Sequence, residues 1–310
     1  MLGPVLLAAS RSDRMRRVVA AAPVTRPVVN RFVAGDALHP AMDTVRALAA
    51  SGLDVTLDHL GEDVTDKATA QATRDAYLRL LEALRDDRLG DRAEVSVKLS
   101  AFGQALPDGG HDIALAGVRE VAALASDIGT TVTLDMEDHT TVDSTLAILH
   151  ELRREHPRTG AVLQSYLFRT EDDARALAVA GSRVRLVKGA YNEPASVAFQ
   201  NKGDVDRAYV RALRILFAGD GYPMVGSHDP RIISIAQELA ARNRRLPDSY
   251  EFQMLYGIRT AEQRRLADEG LRMRIYVPYG ADWYGYFMRR LAERPANLAF
   301  FLRSFVPGTR

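Results

Sequence analysis

The chain has 310 residues, 47% apolar and 26% charged, which fits a soluble protein with a sizeable core rather than a disordered one. Lys and Arg number 41 against 40 Asp and Glu, a balance that argues against binding duplex nucleic acid by bulk charge. With no cysteine, a disulfide scaffold, a zinc–thiolate site, an iron–sulfur cluster and a thiol nucleophile are all excluded. No stretch reaches the ~20 apolar residues of a membrane span. The apolar run Leu2–Ala9 lacks a preceding basic segment and makes a poor secretory signal. The Arg-rich residues 11–31 have some likeness to a transit peptide, but a helical arm over residues 1–52 is the plainer expectation.

Beyond the arm, β-branched apolar runs alternate with helical patterns. The strand-like runs are Leu53–Leu60, Glu94–Ala101, Thr131–Glu137, Ala161–Leu167, Arg183–Ala190, Tyr222–Ser227, Tyr250–Tyr256 and Leu271–Tyr279. Between them, Tyr77, Leu80, Leu81 and Leu84 recur at helical spacing, as do Tyr209, Ala212, Leu213 and Leu216, and Ile232, Ile235, Ala236 and Leu239. Thr260 with Gln263, and Thr170 with Asp173, suggest capping boxes, and Gly181 and Gly270 sit where helices end. Eight strand–helix units over about 250 residues predict a closed parallel α/β barrel spanning 53–310, with a doubly wound open sheet as the alternative.

In such a barrel the chemistry gathers at the C-terminal strand ends. Asp58 and His59 end the first run, Lys98 and Ser100 the second, Asp135, Glu137 and Asp138 the third, and Gln164 and Ser165 the fourth. Arg185, Lys188 and Tyr191 follow, then Ser227, His228 and Asp229, then Gln253, then Arg274, Tyr276 and Tyr279. Alternation puts Ser96, Lys98 and Ser100 on the face opposite Val95, Val97 and Leu99, so Lys98 is expected to point into the mouth. It needs either an anionic ligand or a neighbouring carboxylate such as Asp135. The three acids Asp135, Glu137 and Asp138 suit an ion-pair network with Lys98, Arg185 and Lys188 better than a metal, because the seven histidines form no ligand spacing. Gly189 suits either a strand-end turn or close approach of a ligand. Arg289 and Arg290 differ by about 100° on a helix. They read as a solvated face or, just after strand eight, as a carboxylate or phosphate clamp. His228, a lone histidine, reads as a hydrogen-bonding residue.

Seven segments in order carry a resemblance. They are Val95–Ser100, Leu134–Asp138, Val184–Tyr191, His228-Asp229-Pro230, Glu251–Gly257, Tyr276–Gly280, and Tyr286-x-x-Arg289-Arg290-x-x-Glu293-Arg294-Pro295. The chain resembles the monofunctional bacterial proline dehydrogenases, FAD enzymes on a distorted (βα)8 TIM barrel, from about Val55 to Asn297. The resemblance implies that Lys98, Arg289 and Arg290 hold the carboxylate of L-proline. Tyr191, Leu255 and Tyr276 would wall its ring, with Asp135 a polar wall beside Lys98. Met136, Gln164, Arg185, Val187, Lys188, Gly189, Ala190, Ser227 and His228 would hold FAD. Asp135, Arg185 and Tyr191 stand nearest the chemistry, and the charge of Arg185 would favour the reduced flavin. The family usually has Thr at the position of Ser227, and relatives specific for hydroxyproline tend to carry a smaller residue at that of Tyr276.

The implied reaction is oxidation of L-proline to Δ1-pyrroline-5-carboxylate, with electrons passed to a membrane quinone. A cytoplasmic protein with at most peripheral contact at the inner face of the membrane follows, with no metal and no nucleic-acid partner. The second, aldehyde-dehydrogenase domain of the bifunctional relatives is not expected in a chain of this length, so any contact with a separate pyrroline-5-carboxylate dehydrogenase would be transient. The competing readings are a hydroxyproline dehydrogenase, a Schiff-base aldolase using Lys98 or Lys188, and an anion-binding scaffold without turnover.

Overall fold

The computed structural model describes residues 26–293, so residues 1–25 of the expected arm, and Arg294 and Pro295 of the last motif, lie outside the described residues. Eight strands form a closed parallel barrel in sequential order: β1 Asp54–His59, β2 Ala93–Val97, β3 Val132–Leu134, β4 Gly160–Gln164, β5 Arg183–Val187, β6 Tyr222–Gly226, β7 Glu251–Leu255 and β8 Met273–Tyr279. Pairing of β8 with β1, from Asp54↔Arg274 to His59↔Tyr279, closes the ring and excludes the open sheet.

Helices alternate with the strands: α1 Arg26–Val29, α2 Leu38–Ala50, α3 Lys67–Asp86, α4 Gly110–Asp127, α5 Val142–Glu155, α6 Thr170–Leu177, α7 Lys202–Ala218, α8 Pro230–Arg242, α9 Thr260–Asp268 and α10 Trp283–Glu293. Their apolar faces bury where the periodicity places them, save that Ile233 takes the inner position expected of Ile235. Neither capping box forms. The Thr170 hydroxyl donates to the Gln164 carbonyl at 2.5 Å, and α9 is entered through Arg259 at φ +56° with no side-chain cap. The side-chain caps are instead Asp66, Asn201 and Asp229, for α3, α7 and α8. Gly270 does end α9. At φ +79° its N–H bonds the Ala267 carbonyl and the Leu271 N–H bonds the Leu266 carbonyl, a Schellman closure that a side chain at this φ would strain.

Two features distort the barrel. The helix after β8 does not join the outer ring. Tyr284, Tyr286, Phe287 and Met288 of α10 form a separate cluster with Val28, Val29, Phe32 and Val33 from the N-terminal segment, and with Leu60. The outer face of β8 and β1 is covered instead by α2, whose Ala41, Met42 and Val45 enter the main core. This frees α10 to carry its arginines at the C-terminal mouth.

The second feature is a charged interior. Barrel interiors are ordinarily filled by bulky apolar residues. Here Val55, Leu57, Val95, Val97, Val184, Leu186, Phe252, Met254, Ile275 and Val277 all join the core shared with the helices. The alternate residues bond one another across the barrel: Thr56 and Arg183 to Glu94, Arg185 to Gln253, and Arg274 to Glu251 at 2.8 Å. Glu251 is fully buried, and its two arginine neighbours Arg274 and Arg183 hold its carboxyl below the usual range against the cost of burial.

Several strands are shorter than expected. β2 stops at Val97 and the chain tightens into a 3-10 turn over Leu99–Phe102; β3 stops at Leu134, β4 at Gln164 and β5 at Val187. The reason is local. Once past the last ladder bond, nothing holds the chain extended, and the turn instead offers partners such as the Ser100 carbonyl for the Gly103 N–H. Strict alternation therefore ends at Lys98, and Ser100 does not share a face with Ser96 and Lys98.

Candidate active site

Lys98 follows β2 directly, and its ammonium donates to Asp58 Oδ2 of β1 at 2.7 Å. Both groups are buried. Burial opposes the charge on Lys98, but Asp58 and then Asp135 outweigh it and raise its pKa. The partner is thus Asp58, not Asp135. An ammonium held this firmly charged is a poor amine nucleophile, which counts against a Schiff-base lysine at this position.

Asp135, just past β3, is the centre of the mouth. Its Oδ1 accepts from the Ser96 hydroxyl and from Arg185 Nη1, both at 2.7 Å, and its Oδ2 accepts the Tyr276 hydroxyl at 2.7 Å. Arg185 also donates to Gln253 Oε1 at 2.5 Å and to the Ser96 hydroxyl at 3.0 Å, and its guanidinium lies 5.3 Å over the Tyr276 ring. Burial, then Asp135, pushes the Tyr276 phenol well above its ordinary value, so it acts as a donor and not as a base.

The other acids separate. Glu137 accepts the Ser100 hydroxyl at 2.6 Å and the Ser100 N–H at 3.0 Å, and burial raises its pKa to about 7 against those bonds. Asp138 closes a turn on Thr140. Lys188 pairs with none of the three. It lies between Asp206 at 2.5 Å and Asp229 at 3.4 Å, on the α7–α8 side of the mouth. Among the described residues no group of three or more His, Cys, Asp or Glu stands close enough to hold a metal.

Over this floor, α10 presents Arg289 to the loop after β1, where it forms a bidentate pair with Glu62 at 2.5 and 3.2 Å. Burial disfavours the charge on Arg289, and Glu62 more than offsets it. Arg290, one residue on, has its guanidinium 5.2 Å over the ring of Tyr286. Tyr191 lies close enough to Glu137, Glu62 and Arg289 to feel all three charges, with burial the largest influence on its raised pKa.

Leu255 ends β7, and its N–H donates to His228 Nε2 at 3.0 Å, which fixes that ring nitrogen as the unprotonated one. The Ser227 hydroxyl accepts the Asp229 N–H at 3.1 Å. Gln164 donates to the carbonyls of Met136 and Glu137 at 2.9 and 3.2 Å, while its Oε1 is buried with no hydrogen-bond partner. Gly189, at φ +116°, lies against Tyr166; a Cβ built there would stand 2.3 Å from its ring. Val187 and Lys188 before it are half-buried, and Ala190 after it is exposed.

Lys98, Asp135, Arg185 and Tyr276 therefore meet at the mouth, with Arg289 and Tyr191 above them. Met136, Gln164, Val187, Gly189, Ser227 and His228 form an arc along the ends of β3 to β6. Sequence reasoning missed Glu62 as the partner of Arg289, gave Asp58 and Gln253 no role, and passed over Tyr166. Only Asp58 and Gln253 carried a signal, their place at strand ends.

The mouth thus gathers three paired cations, Lys98, Arg185 and Arg289, around Asp135 and Tyr276, with no nucleophile–base pair among the residues it brings together. Residues 41–303 match the family model described as Proline dehydrogenase. The chain is 41% identical over 285 residues to a proline dehydrogenase of Deinococcus radiodurans, covering 91% of each chain. It is 39% identical over 282 residues to proline dehydrogenase 1 of Bacillus subtilis, covering 91% of this chain and 92% of that one. A crystal structure of proline utilization A from Bdellovibrio bacteriovorus, inactivated by N-propargylglycine, superposes with a TM-score of 0.80 at 25% identity. The match covers 92% of this chain but only 34% of that longer one.

Proposed function

The chain belongs to the proline dehydrogenase family, and on that footing we propose that it oxidises L-proline to Δ1-pyrroline-5-carboxylate with FAD, its electrons passing to a quinone. The observation that carries the reading is the buried cluster of Asp135, Arg185, Tyr276 and Lys98 beneath Arg289. FAD, when bound, supplies the hydride acceptor for the ring carbon next to the proline nitrogen. The residues present suit it. Gln164 Oε1 is a buried acceptor without a hydrogen-bond partner, matched to the donor edge of a flavin ring. Met136, Gln164, Arg185, Val187, Lys188, Gly189, Ala190, Ser227 and His228 would hold the cofactor.

The chain's own residues bind and orient. Arg289 receives the proline carboxylate beside the Glu62 carboxylate it already holds, with Arg290 and Lys98 adding positive charge. Tyr276, Leu255 and Tyr191 wall the ring, and Asp135 fixes Tyr276 and Arg185 in place. Cytoplasmic location with peripheral contact at the membrane completes the proposal; among the described residues no helix is long and apolar enough to cross a membrane. The arm over 1–52 and the barrel over 53–310 work as one unit.

An anaerobic visible spectrum of the purified protein tests the proposal. Flavin bands that bleach on addition of L-proline are expected, and a colourless protein that FAD does not reconstitute would refute it. Substrate choice is read from Tyr276→Ser. Removing the ring opens space beside the substrate, and the ratio of hydroxyproline to proline kcat/KM should rise about tenfold. An unchanged ratio would show that Tyr276 does not discriminate.

A further inference from the structure

At the end of the barrel opposite the mouth, the strand starts enclose a cavity of about 260 Å³. That is below the roughly 300–1,000 Å³ of sites for drug-sized ligands, so it suits a small one. Four guanidinium groups line it, Arg183 of β5, Arg274 of β8, Arg158 before β4 and Arg272 before β8, against two carboxylates, Glu94 of β2 and Asp91 before it. Arg183 and Arg274 are buried, while Arg158 and Arg272 stand exposed at the rim. The carboxylates at this end are already shared. Glu94 bonds Arg183 and has Arg185 and Arg274 at 3.6 and 3.9 Å. Behind the lining, Glu251 serves Arg274 at 2.8 Å, and Asp54 is divided among Arg92 at 3.1 Å and Arg272 and Arg274 at 3.5 Å. Two sets of donors are left over. Arg183 is only 7% exposed, yet its Nε is buried with no hydrogen-bond partner. Among the described residues the Arg158 side chain makes no hydrogen bond or ion pair; only its carbonyl is used, accepting the Thr131 hydroxyl at 2.8 Å. A buried donor without an acceptor is costly, and an unpaired guanidinium lining the same cavity points to an anion that would serve both.

We propose that this cavity is a binding site for a small oxyanion of the phosphate type, held by Arg158 at the rim and Arg183 within. The planar fork of a guanidinium matches phosphate oxygens, and Arg272 and Arg274 add positive charge. Asp91 opposes the anion only weakly, because it is exposed and solvent screens it. The ligand is free phosphate or the phosphate group of a small monoester. The site lies at the far end of the strands from Asp135 and Arg289, so the anion stabilises the barrel and leaves the reaction at the mouth untouched.

Titration of the flavin-loaded enzyme, in which the cofactor's own anion contacts are filled, tests the proposal. Inorganic phosphate and glycerol phosphate are added separately at fixed ionic strength, with calorimetry and the thermal unfolding midpoint as readouts. Saturable binding and a raised midpoint are expected for at least one of the two, and the tighter one tells in which form the phosphate arrives. Arg158→Glu changes an exposed residue and leaves the barrel intact. It should weaken that binding at least about tenfold, while kcat and KM for L-proline stay at wild type. Arg289→Met, at the mouth, should leave phosphate binding unchanged. The proposal is overturned by an absence of saturable binding, by an equal effect of chloride at the same ionic strength, or by binding that survives Arg158→Glu. Loss of binding in Arg289→Met would place the anion at the mouth and overturn it as well.

Discussion

Replacing Arg289 with methionine is expected to raise KM for L-proline roughly ten- to a hundred-fold, while bound flavin stays at the wild-type level. The magnitude follows from a charge-assisted bond of about 1.5–3 kcal/mol, each 1.4 kcal/mol being a tenfold change in affinity. The flavin is spared because Arg289 stands on α10, whereas the residues proposed to hold FAD lie at the ends of β3 to β6. The fold is spared as well. Glu62, the partner left behind, is about a quarter exposed and regains water when the guanidinium goes. Steady-state kinetics beside a flavin-to-protein absorbance ratio measure both. An unchanged KM with full flavin would remove Arg289 from substrate binding, and loss of flavin would mean that α10 reaches further across the mouth than its contacts imply.

The pair Arg289–Glu62 also marks the boundary of what the amino-acid pattern reveals. Hydrophobic periodicity reports which face of a segment is buried, so eight strands and the helices between them, and with them the barrel, follow from runs such as Val95–Leu99 and Tyr77–Leu84. Periodicity is silent on which of its two neighbouring strands a side chain leans toward. The pattern therefore offers Lys98 a partner such as Asp135, past β3, whereas the structure sets it against Asp58 of β1. It is silent again in loops. Gly61-Glu62-Asp63 has no pattern, and a lone glutamate there reads as solvated until α10 is seen lying above it. The strand ends were overrun for a related reason: the residues that leave the sheet, Leu99 to Phe102, are as apolar as those within it. The inward charges Glu94, Arg183, Glu251 and Arg274 were legible only in part, because each is tolerable as a buried group solely through partners on other strands.

Replacing Asp135 with alanine is expected to cost about 3–5 kcal/mol of stability and to lower kcat/KM about a hundredfold. The stability loss arises because the Arg185 guanidinium, 4% exposed, would keep its bonds to Gln253 and Ser96 but lose its close carboxylate, leaving only Glu94 at 3.6 Å. A buried cation so weakly compensated destabilises far more than the net worth of the pair it has lost. The activity loss has a separate origin. The Tyr276 hydroxyl would lose its acceptor, and both the wall of the substrate pocket and the cation beside the cofactor would shift from their places. Asp135→Asn separates the two. The amide keeps one acceptor and the volume, so packing is largely preserved while the charge opposite Arg185 is gone. Its stability should fall between those of Ala and wild type, with activity depressed in step with the displacement of Arg185. Urea unfolding of the three proteins, monitored alongside flavin reduction by L-proline, makes the comparison. Identical unfolding midpoints for Asp135→Ala and wild type would mean that Arg185 is held by its uncharged neighbours alone, and that Asp135 serves the substrate and not the barrel.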